Sequence, residues 1–415
     1  MDVVVVGAGP AGAALSLLLA RAGIGVRLVE RETAFDRVFR GEGLMPLGLD
    51  ALEQMRLDWD IDDLPGRVVR SWRIVIDGQE SLTIPEPVAE LGRRAFRVAS
   101  PAAMIERLVD AASRLPTFAF HPDTRFVDVL RSGGRVSGAQ VADATGAQEL
   151  AADLVIGCDG RGSPVRTRTG LRLELSPEQY DVVWWKLPSP AGLAAVTDFW
   201  ITVRAGAHPL IAYTSWDDQL QCGVVMPKGG LAELSGDDWL DRALVAAPAW
   251  LADHVRDHRD AVTGPTRLNV LVGRARSWTA PGLLLLGDAA HPMSPVRAQG
   301  INIALRDVIV AANHLVPAAA SGDLDEVDAA CRAVEAERLP EIVRAQRLQR
   351  REARGQGDAR AGSWRYALAR HGARLLGRYR WAQRAWLARQ HDLRFGSTTV
   401  ELTADARGPV AGDAP

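Results

Sequence analysis

The chain has 415 residues, 47% of them hydrophobic, and this length predicts two interleaved domains rather than one core. The formal net charge of −2 gives no general attraction to nucleic acid, and nearly all positive charge is arginine, with Lys186 and Lys228 as the only lysines. The three cysteines match no metal or disulfide spacing, and no uninterrupted apolar run approaches the length of about 18 residues that a membrane span needs. Because a strand begins at Asp2, we expect no signal peptide and a cytoplasmic protein.

A Gly-rich turn near the N-terminus follows a strand of β-branched residues and precedes a predicted helix over residues 13–22. Gly7 permits the tight turn, Gly9 lets the backbone approach a pyrophosphate, and Gly12 allows close packing of helix on strand. The helix start offers free N–H groups and a positive dipole end to phosphates. A second strand ends in Glu30, where a carboxylate can accept hydrogen bonds from ribose hydroxyls. The combination predicts dinucleotide binding rather than an unrelated Gly-rich turn.

Two further apolar strands end in polar turns. The first runs into Asp159-Gly160, and the second runs into Gly287-Asp288 and then Ser294-Pro295-Val296-Arg297-Ala298-Gln299-Gly300-Ile301-Asn302. With the N-terminal turn, these motifs resemble the group A flavoprotein monooxygenases of the para-hydroxybenzoate hydroxylase type, from the first residue to about residue 315. The resemblance implies an α/β fold, in which a Rossmann-like FAD-binding domain is interleaved with an antiparallel β-sheet substrate domain and followed by C-terminal helices.

The resemblance also implies a cofactor, FAD, and a reductant, NAD(P)H. It implies that Asp288 bonds the ribityl or ribose part of FAD, that Asp159-Gly160 lies behind the pyrophosphate, and that Arg40 reaches the cofactor. The family carries a Gln or Arg near position 101, where this chain has Pro101, so that contact is either lost or supplied by a neighbour such as Arg97. The cofactor-binding residues that we expect are Gly7, Gly9, Pro10, Ala11, Gly12, Glu30, Arg31, Arg40, Asp159, Gly160, Asp288, Pro295, Gln299, Gly300, Ile301 and Asn302.

The same C-terminal motif carries the expected catalytic residues Pro295, Arg297 and Gln299. A helix that begins at about Gln299 would turn its free N–H groups toward the flavin pyrimidine edge and stabilise the negative charge of reduced flavin. The family usually has two glycines where this chain has Arg297 and Ala298. The Arg297 guanidinium could hold charge on the substrate or on the reduced flavin, or it could point to solvent.

Between the cofactor motifs the apolar pattern changes to period two, which predicts an antiparallel sheet over the flavin. The predicted strands cover residues 70–77, 182–187, 199–203, 210–214 and 220–226. Four tryptophans, Trp72, Trp184, Trp200 and Trp216, could line an aromatic pocket, because a Trp face packs well on planar ligands. Core packing is the alternative for each of them, and we expect one or two to contact ligand.

The pattern also gives an outline of the domains. We expect an FAD-binding domain from residues 1–70, 96–175 and 273–320, a substrate domain from residues 71–95 and 176–272, a helical region at 321–403 and a disordered tail at 404–415. The helix over about 323–354 should be interrupted at Pro340. Residues 360–390 combine arginines with aromatics, and packing on the protein itself is favoured over contact with an anionic membrane.

The sequence thus predicts an FAD-dependent monooxygenase for an aromatic or polycyclic small molecule of secondary metabolism, acting as a monomer or a homodimer. The resemblance implies hydroxylation or epoxidation through a C4a-hydroperoxyflavin. Because there is only one Gly-rich Rossmann turn, the nicotinamide should bind transiently at the surface. Two alternatives stay open: another flavin reaction, such as isoprenoid double-bond reduction, halogenation or oxygen-independent oxidation, and a flavin-binding protein without turnover.

Overall fold

The computed structural model describes residues 1–35, 41–177, 180–193, 197–357, 364–377 and 379–407. The strands are β1 (Asp2–Val6), β2 (Gly25–Val29), β3 (Gly43–Leu44), β4 (Gly66–Val68), β5 (Ser71–Ile76), β6 (Gln79–Pro85), β7 (Arg97–Ala99), β8 (Phe118–His121), β9 (Arg125–Ser132), β10 (Arg135–Asp143), β11 (Gly146–Ala151), β12 (Leu154–Gly157), β13 (Leu173–Leu175), β14 (Tyr180–Pro188), β15 (Asp198–Val203), β16 (Leu210–Thr214), β17 (Gln219–Pro227), β18 (Thr263–Val270), β19 (Gly273–Ala275), β20 (Thr279–Ala280) and β21 (Leu283–Leu285). The α-helices are α1 (Pro10–Arg21), α2 (Pro46–Gln54), α3 (Val88–Leu91), α4 (Pro101–Ser113), α5 (Pro164–Arg168), α6 (Trp239–Ala243), α7 (Ala249–Asp257), α8 (Gln299–Ser321), α9 (Leu324–Gly357), α10 (Trp364–Leu376), α11 (Arg380–Arg389), α12 (His391–Phe395) and α13 (Ala404–Arg407).

The first of the two large sheets has six strands in the order β20, β21, β12, β1, β2 and β8. Its pairs are parallel except for the antiparallel pair β20 and β21. The valines of β1 do not alternate with polar residues because both faces of a parallel sheet are covered. Helices α1, α4 and α8 contribute to the core on one face. The carboxyl ends of β1, β2, β12 and β21 therefore meet at one edge, where open α/β sheets bind ligands.

The second large sheet has seven strands in the order β18, β14, β17, β16, β15, β5 and β6. Its neighbours are antiparallel except for the parallel pair β15 and β5. Because side chains alternate along a strand, Trp184 and Tyr213 join the same core cluster as Val6 of the first sheet, whereas Trp185 faces outward. Helices α6 and α7 cover the outer face. The predicted combination of a Rossmann-like sheet and an antiparallel sheet is confirmed; the exact domain bounds stay a prediction.

Helix α8 packs in the core beside the six-stranded sheet, and its Ile303 also joins the core cluster between the two large sheets. With the turn before it, residues 296–321 form the one helix of the described residues that is long and apolar enough to span a membrane, but 67% of its most apolar window is buried inside the protein. There it packs on α1, α2 and α9. Its composition is therefore explained by a position in the core of the fold.

Three expectations about helix bounds need correction. Helix α1 begins at Pro10, since proline is suited to the first helical position, where no N–H partner is needed. Helix α9 continues through Pro340, and buried ion pairs of Arg338 and Glu341 hold it to α8 on both sides of the proline. Residues 404–407 are helical rather than disordered because Ala406 is fully buried in the core; residues 408–415 lie outside the described part.

The Arg-rich C-terminal segment packs on the second sheet. Tyr366 and Arg370 of α10 bond the carboxylate of Asp77 at 2.7 and 3.0 Å. These contacts agree with packing on the protein itself. Leu368 and Trp381 nevertheless remain 65% and 60% exposed.

Candidate active site

The Gly-rich turn between β1 and α1 leaves no room for other residues at two of its glycines. Gly7 has a φ of +100°, and a Cβ atom there would lie 2.6 Å from the carbonyl oxygen of Cys158. A Cβ at Gly12 would lie 1.9 Å from the carbonyl oxygen of Gly7. A Cβ atom at Gly9 would point into open space, with no described atom within 4 Å. Gly7 thus allows the tight turn, Gly12 allows the close packing of the helix, and Gly9 leaves an open approach to the backbone, as their spacing predicts.

Glu30 is held against this turn at the end of β2. Its Oε2 accepts a hydrogen bond from the Ala8 N–H at 2.8 Å, and its Oε1 accepts one from the Glu32 N–H at 3.1 Å. The carboxylate is therefore oriented by two backbone donors and keeps lone pairs for further hydrogen bonds. The neighbouring Arg31 is exposed and pairs with Glu32 at 3.0 Å, so its guanidinium is directed to the surface.

Asp159 lies directly behind the Gly-rich turn. Its Cα would be 2.9 Å from a Cβ at Gly7, and its Oδ2 accepts a hydrogen bond from the Val165 N–H at 2.8 Å, at the start of α5. Burial raises the pKa of this carboxyl above its ordinary value, against the hydrogen bonds that lower it. Asp159 thus fixes the start of α5 beside the place that the resemblance gives to the pyrophosphate.

Arg166, which the sequence analysis missed, joins the second and third motifs. Its guanidinium is buried and donates to the Arg161 carbonyl at 2.7 Å and to the Ala289 carbonyl at 2.6 Å. The turns after β12 and β21 are thereby fastened together. Arg166 could have been found from the sequence, because it lies two positions after the start of a helix that follows a Gly-rich polar turn.

Asp288 lies between these turns and the start of α8. Its Oδ2 accepts a hydrogen bond from the Arg161 Nε at 3.0 Å, and its Oδ1 would be 3.9 Å from a Cβ at Gly300. The side chain is 27% exposed, so it can reach a ligand at the sheet edge. The structure thus gathers Gly9, Glu30, Asp159 and Asp288 around the carboxyl ends of four parallel strands.

The turn before α8 has a strained backbone. Arg297 and Ala298 have φ values of 62° and 50°, a region that glycine enters freely and that costs another residue of order 1–3 kcal/mol. Within this turn the Pro295 carbonyl accepts a hydrogen bond from the Ala298 N–H at 3.2 Å. The first N–H groups of α8 have no partner within the helix, as at any helix start. No side chain of the described residues caps this helix start either.

The Arg297 side chain turns toward the C-terminal helices. Its Nε and Nη2 donate to the carboxylate of Glu352 at distances between 2.7 and 3.1 Å. The guanidinium carbon lies 5.0 Å from the Trp72 ring and 4.5 Å from the Trp386 ring, and the side chain is 8% exposed. The structure thus places this charge neither in solvent nor free at the sheet edge, but in a buried pair with α9.

Gln299 and Asn302 use their amides within the protein. The Gln299 amide donates to the Leu393 carbonyl at 2.8 Å and to the Arg297 carbonyl at 3.0 Å. The Asn302 amide donates to the carbonyls of Gly43 and Ala298 at 2.9 and 2.6 Å and accepts from the Met45 N–H at 2.8 Å. Both side chains are fully buried. They position the start of α8, and any contact of Gly300 with a cofactor would come from its backbone.

Two expected cofactor contacts need comment. Arg40 lies outside the described residues. Arg97 does not replace the missing residue at position 101, because its guanidinium bonds the Ile61 carbonyl at 3.0 Å and the Asp62 carboxylate at 2.7 Å. Pro101 is the first residue of α4, where its lack of an N–H costs nothing.

The four tryptophans occupy different environments. Trp72 is buried in an aromatic cluster with Phe96 and Phe199, at ring distances of 4.8 and 5.0 Å. Trp184 packs tightly on Gly223 in the same core. Trp200 lies on the outer face against Trp250, because it alternates with the inward Ile201, and this placement argues against ligand contact. Trp216 lies over the ammonium of Lys186 at 5.3 Å.

A charged cluster at the end of the second sheet also escaped the sequence analysis. The Glu42 carboxylate is 2% exposed and accepts a hydrogen bond from Ser215 Oγ at 2.7 Å and from Lys186 Nζ at 3.1 Å. Lys186 also donates to Asp217 at 2.9 Å. The signal was available, since Lys186 is one of two lysines in the chain and interrupts an apolar strand.

Comparison with known proteins fits this geometry. A sequence profile described as an FAD binding domain matches residues 1–339. The 6-methylpretetramide 4-monooxygenase of Streptomyces rimosus is 37% identical over 363 residues, which cover 84% of this chain and 82% of that protein. This chain belongs to the FAD-dependent group A flavoprotein monooxygenases.

Two more relatives extend the comparison of this flavoprotein monooxygenase. Kynurenine 3-monooxygenase of Salinispora arenicola is 28% identical over 333 residues, covering 74% of the chain and 71% of that protein. The crystal structure of p-nitrophenol 4-monooxygenase PnpA from Pseudomonas putida DLL-E4 has a TM-score of 0.76 at 16% identity, covering 96% of the chain and 99% of PnpA. The second comparison shows the fold. The predicted family, the enzymatic activity and the cofactor FAD are confirmed.

The described residues of this flavoprotein monooxygenase fit FAD. The start of α1 is not capped by a described side chain and opens at Gly9, so its N–H groups are available to a pyrophosphate. Glu30 and Asp288 offer oriented carboxylates for the two ends of the cofactor. The start of α8 adds a second set of free N–H groups for the flavin ring. These roles of individual residues remain predictions.

Proposed function

We propose that this flavoprotein monooxygenase uses NAD(P)H and O2 to hydroxylate or epoxidise an aromatic or polycyclic small molecule of secondary metabolism. The names of its relatives give 6-methylpretetramide and kynurenine as substrates of those proteins, which supports a substrate of this class. The proposal includes a cytoplasmic location. It also includes a nicotinamide that binds transiently at the surface, because the chain has one Gly-rich Rossmann turn.

The observation that carries the proposal is the proximity of an aromatic surface to the start of α8, with Gly43 between them. A Cβ at Gly43 would lie 3.0 Å from the Ala298 Cβ and 3.1 Å from the Phe96 ring. Phe96 belongs to the cluster with Trp72 and Phe199, and Phe199 stacks on Tyr213 at 4.9 Å. Aromatic side chains on the inner face of the second sheet therefore lie beside the helix start that suits the flavin ring. Such rings pack favourably on planar ligands.

The protein contributes binding, orientation and electrostatics to this reaction. Bound FAD supplies the electron transfer and the oxygen activation. The free N–H groups at the start of α8 stabilise negative charge that develops beside them. The buried amides of Gln299 and Asn302 hold this helix start in place, and the aromatic cluster excludes water and orients a planar substrate.

The test is turnover of the FAD-loaded protein in the presence of 18O2. We expect NADH or NADPH oxidation to accelerate when a suitable aromatic compound from a panel of phenols and polycyclic aromatics is added, and mass spectrometry should find one 18O atom in the product. Product without 18O would favour double-bond reduction, halogenation or oxygen-independent oxidation. Nicotinamide oxidation that no compound in the panel stimulates would favour a flavin-binding protein without turnover.

A further inference from the structure

Helix α10 is attached to the protein through polar and small side chains. The Tyr366 hydroxyl and the Arg370 guanidinium donate to the Asp77 carboxylate at 2.7 and 3.0 Å, in the turn between β5 and β6. Just after the helix, a Cβ at Gly377 would lie 2.6 Å from the carbonyl oxygen of Ser81 on β6. Because residues four positions apart lie on one side of a helix, the side of α10 that carries Tyr366 and Arg370 faces β6, the edge strand of the second sheet.

The opposite side of α10 carries two exposed leucines. Leu368 and Leu375 are 65% and 60% exposed, and their spacing of about two helical turns places them on one side of the helix. Leu368 lies about 200° around the helix from Tyr366, which faces the sheet. A surface helix of a globular protein normally turns its apolar stripe to the core and its polar side to water. Helix α10 has the reverse orientation, so packing on the protein uses its polar side and leaves its leucines outside.

Helix α11 extends this exposed apolar side. It also packs on β6, and its Trp386 is directed inward, with its ring 6.0 Å from that of Trp72. Trp381 lies about 140° around the helix from Trp386 and is 60% exposed. Leu368, Leu375 and Trp381 therefore lie on the outer side of two helices that share one sheet edge. We call these three side chains the outer patch.

The surroundings of the outer patch are strongly basic. Residues 359–391 contain eight arginines and no aspartate or glutamate, although the whole chain has a net charge of −2. Arg380, Arg384 and Arg389 are exposed on α11, and no carboxylate of the described residues forms an ion pair with them. The rest of the chain is net acidic, so an anionic surface would attract the protein by this side.

We propose that the outer patch and the arginines of α11 dock this protein on an anionic lipid bilayer. Tryptophan and leucine side chains enter the boundary between headgroups and acyl chains, while arginines on the same helix pair with lipid phosphates. The docking agrees with a cytoplasmic location, because anionic lipids are concentrated in the cytoplasmic leaflet. A second copy fits less well, since a two-fold interface through this patch would bring the arginines of both copies together.

The experiment measures binding of the FAD-loaded chain to unilamellar vesicles by co-sedimentation. Vesicles of phosphatidylcholine alone are compared with vesicles of equal parts phosphatidylcholine and phosphatidylglycerol. The chain should bind the anionic vesicles about tenfold or more tightly, and this difference should shrink at high ionic strength, because salt screens the arginines. The arginine variant, Arg380→Gln/Arg384→Gln/Arg389→Gln, should bind the anionic vesicles about tenfold or more weakly than the wild type.

The apolar side chains are tested separately. The apolar variant, Leu368→Gln/Leu375→Gln/Trp381→Gln, should weaken binding to the anionic vesicles about tenfold while leaving its salt dependence unchanged, because it alters no charge. Phosphatidylglycerol with brominated acyl chains quenches the fluorescence of tryptophans that reach the hydrocarbon. Such vesicles should quench the wild type more than Trp381→Phe. Trp250→Phe changes a tryptophan that is 37% exposed on α7, and it should be quenched as the wild type is.

Matched control variants remove similar side chains elsewhere on the surface. Arg93→Gln/Arg114→Gln/Arg276→Gln removes three arginines that are 61%, 68% and 70% exposed, and it has the same net charge as the arginine variant. Leu175→Gln removes a leucine that is 54% exposed on β13. Both controls should bind vesicles as the wild type does. The Tm and the FAD content of every variant check that the fold is intact.

Four outcomes overturn the proposal. The first is equal binding to both kinds of vesicle, binding to neither, or an equal loss in the control variants. The second is a loss in the arginine variant alone, without a difference in quenching between the wild type and Trp381→Phe, because the outer patch then does not enter the bilayer.

The other two outcomes identify a different occupant of the outer patch. A wild-type dimer that the apolar variant converts to a monomer in sedimentation velocity, while neither protein binds vesicles, means that a second copy covers the patch. Salt-sensitive binding to polyglutamate without binding to vesicles means that the partner is an acidic protein. No readout depends on turnover, so the proposed function can fail while this inference holds.

Discussion

At the scale of the residue, Arg297 shows how one side chain can compensate for a strained backbone. The family usually has glycine at this position, and a φ of 62° is unfavourable for arginine. The guanidinium nevertheless gains a bidentate pair with Glu352 and stacks on two tryptophan rings. These contacts join the turn before α8 to the C-terminal helices. We therefore interpret the arginine as an anchor of the turn.

The first prediction follows from this interpretation. Arg297→Gly should relieve the backbone strain but leave Glu352, in a largely buried place, without its charged partner and with only the Gln390 amide donating to it among the described side chains, which costs about 1–3 kcal/mol. Hydrogen exchange should increase around Glu352 and in α12, and Glu352→Gln should produce the same pattern. The flavin reduction potential should match the wild type in the double variant Arg297→Gly/Glu352→Gln, because this variant removes both charges of the neutral pair. A lowered potential in the double variant, with unchanged exchange in Arg297→Gly, would mean that Arg297 acts on the flavin.

A second prediction concerns Glu30, whose carboxylate is oriented by the N–H groups of Ala8 and Glu32. Glu30→Ala should remove a charge-assisted hydrogen bond of about 1.5–3 kcal/mol to the ribose and raise the Kd of FAD about tenfold to a hundredfold. Fluorescence titration of the apoprotein with FAD measures this change. Glu32→Ala is the control, because it keeps the backbone N–H and alters only a partly exposed side chain. Identical Kd values for Glu30→Ala and the wild type would remove Glu30 from the site.

At the scale of the element, α8 and α9 are joined by a network of buried charges. Asp307 accepts hydrogen bonds from Arg338 Nε and His291 Nε2, both at 2.7 Å, and none of these three side chains is more than 1% exposed. Arg338 also pairs with Glu341, which accepts a hydrogen bond from Arg306 Nε at 3.1 Å. His291 belongs to the motif after β21. The network therefore connects the ligand-binding edge of the six-stranded sheet to helices α8 and α9.

The third prediction is that Asp307→Asn destabilises the protein by about 3–5 kcal/mol, because it leaves the Arg338 charge buried with less compensation. Urea denaturation, followed by circular dichroism, measures the free energy of unfolding. Arg276→Ala removes the exposed pair of Arg276 and Glu174, whose side chains are 70% and 56% exposed, and should change stability by less than about 1 kcal/mol. Equal effects of the two substitutions would contradict the importance of the network.

The same network predicts how stability depends on pH. Burial raises the pKa of Asp307 and of Glu341, but their charged partners outweigh it and hold both pKa values below the ordinary 3.8 and 4.5. Since these folded-state values are depressed, the stabilisation is complete above the ordinary values and is lost as pH falls through the folded ones. The unfolding free energy should therefore decrease on acidification in this range, and less steeply in Asp307→Asn, which has one titrating group fewer. An equally steep decrease in both proteins would exclude Asp307 as a contributor.

At the scale of the whole molecule, the sequence was most informative where local pattern decides the structure. The turn at Gly7, Gly9 and Gly12 is specified by adjacent residues, and five of the seven strands of the second sheet lie where the period-two pattern predicts them, whereas β6 and β18 were not predicted. The continuity of α9 through Pro340 depends on tertiary ion pairs and could not be read locally. The same holds for the site, since Arg297 meets Glu352 and Glu42 meets Lys186 only in the folded chain.

The last prediction concerns the coupling of cofactor binding to folding. Gly9, Glu30 and Asp288 meet only when the six-stranded sheet has formed, so FAD should bind the folded chain and not the unfolded one. The purified protein should be yellow, and free FAD at about 100 times its Kd should raise the unfolding free energy of the apoprotein by about 2.7 kcal/mol. Asp288→Ala should need more FAD for the same rise in Tm, because it removes a carboxylate held by Arg161 at the cofactor edge. Asp253→Ala changes a carboxylate on the distant helix α7, and its Tm should follow the FAD concentration as the wild type does. If Asp288→Ala and the wild type show the same Tm at every FAD concentration, Asp288 does not bind the cofactor.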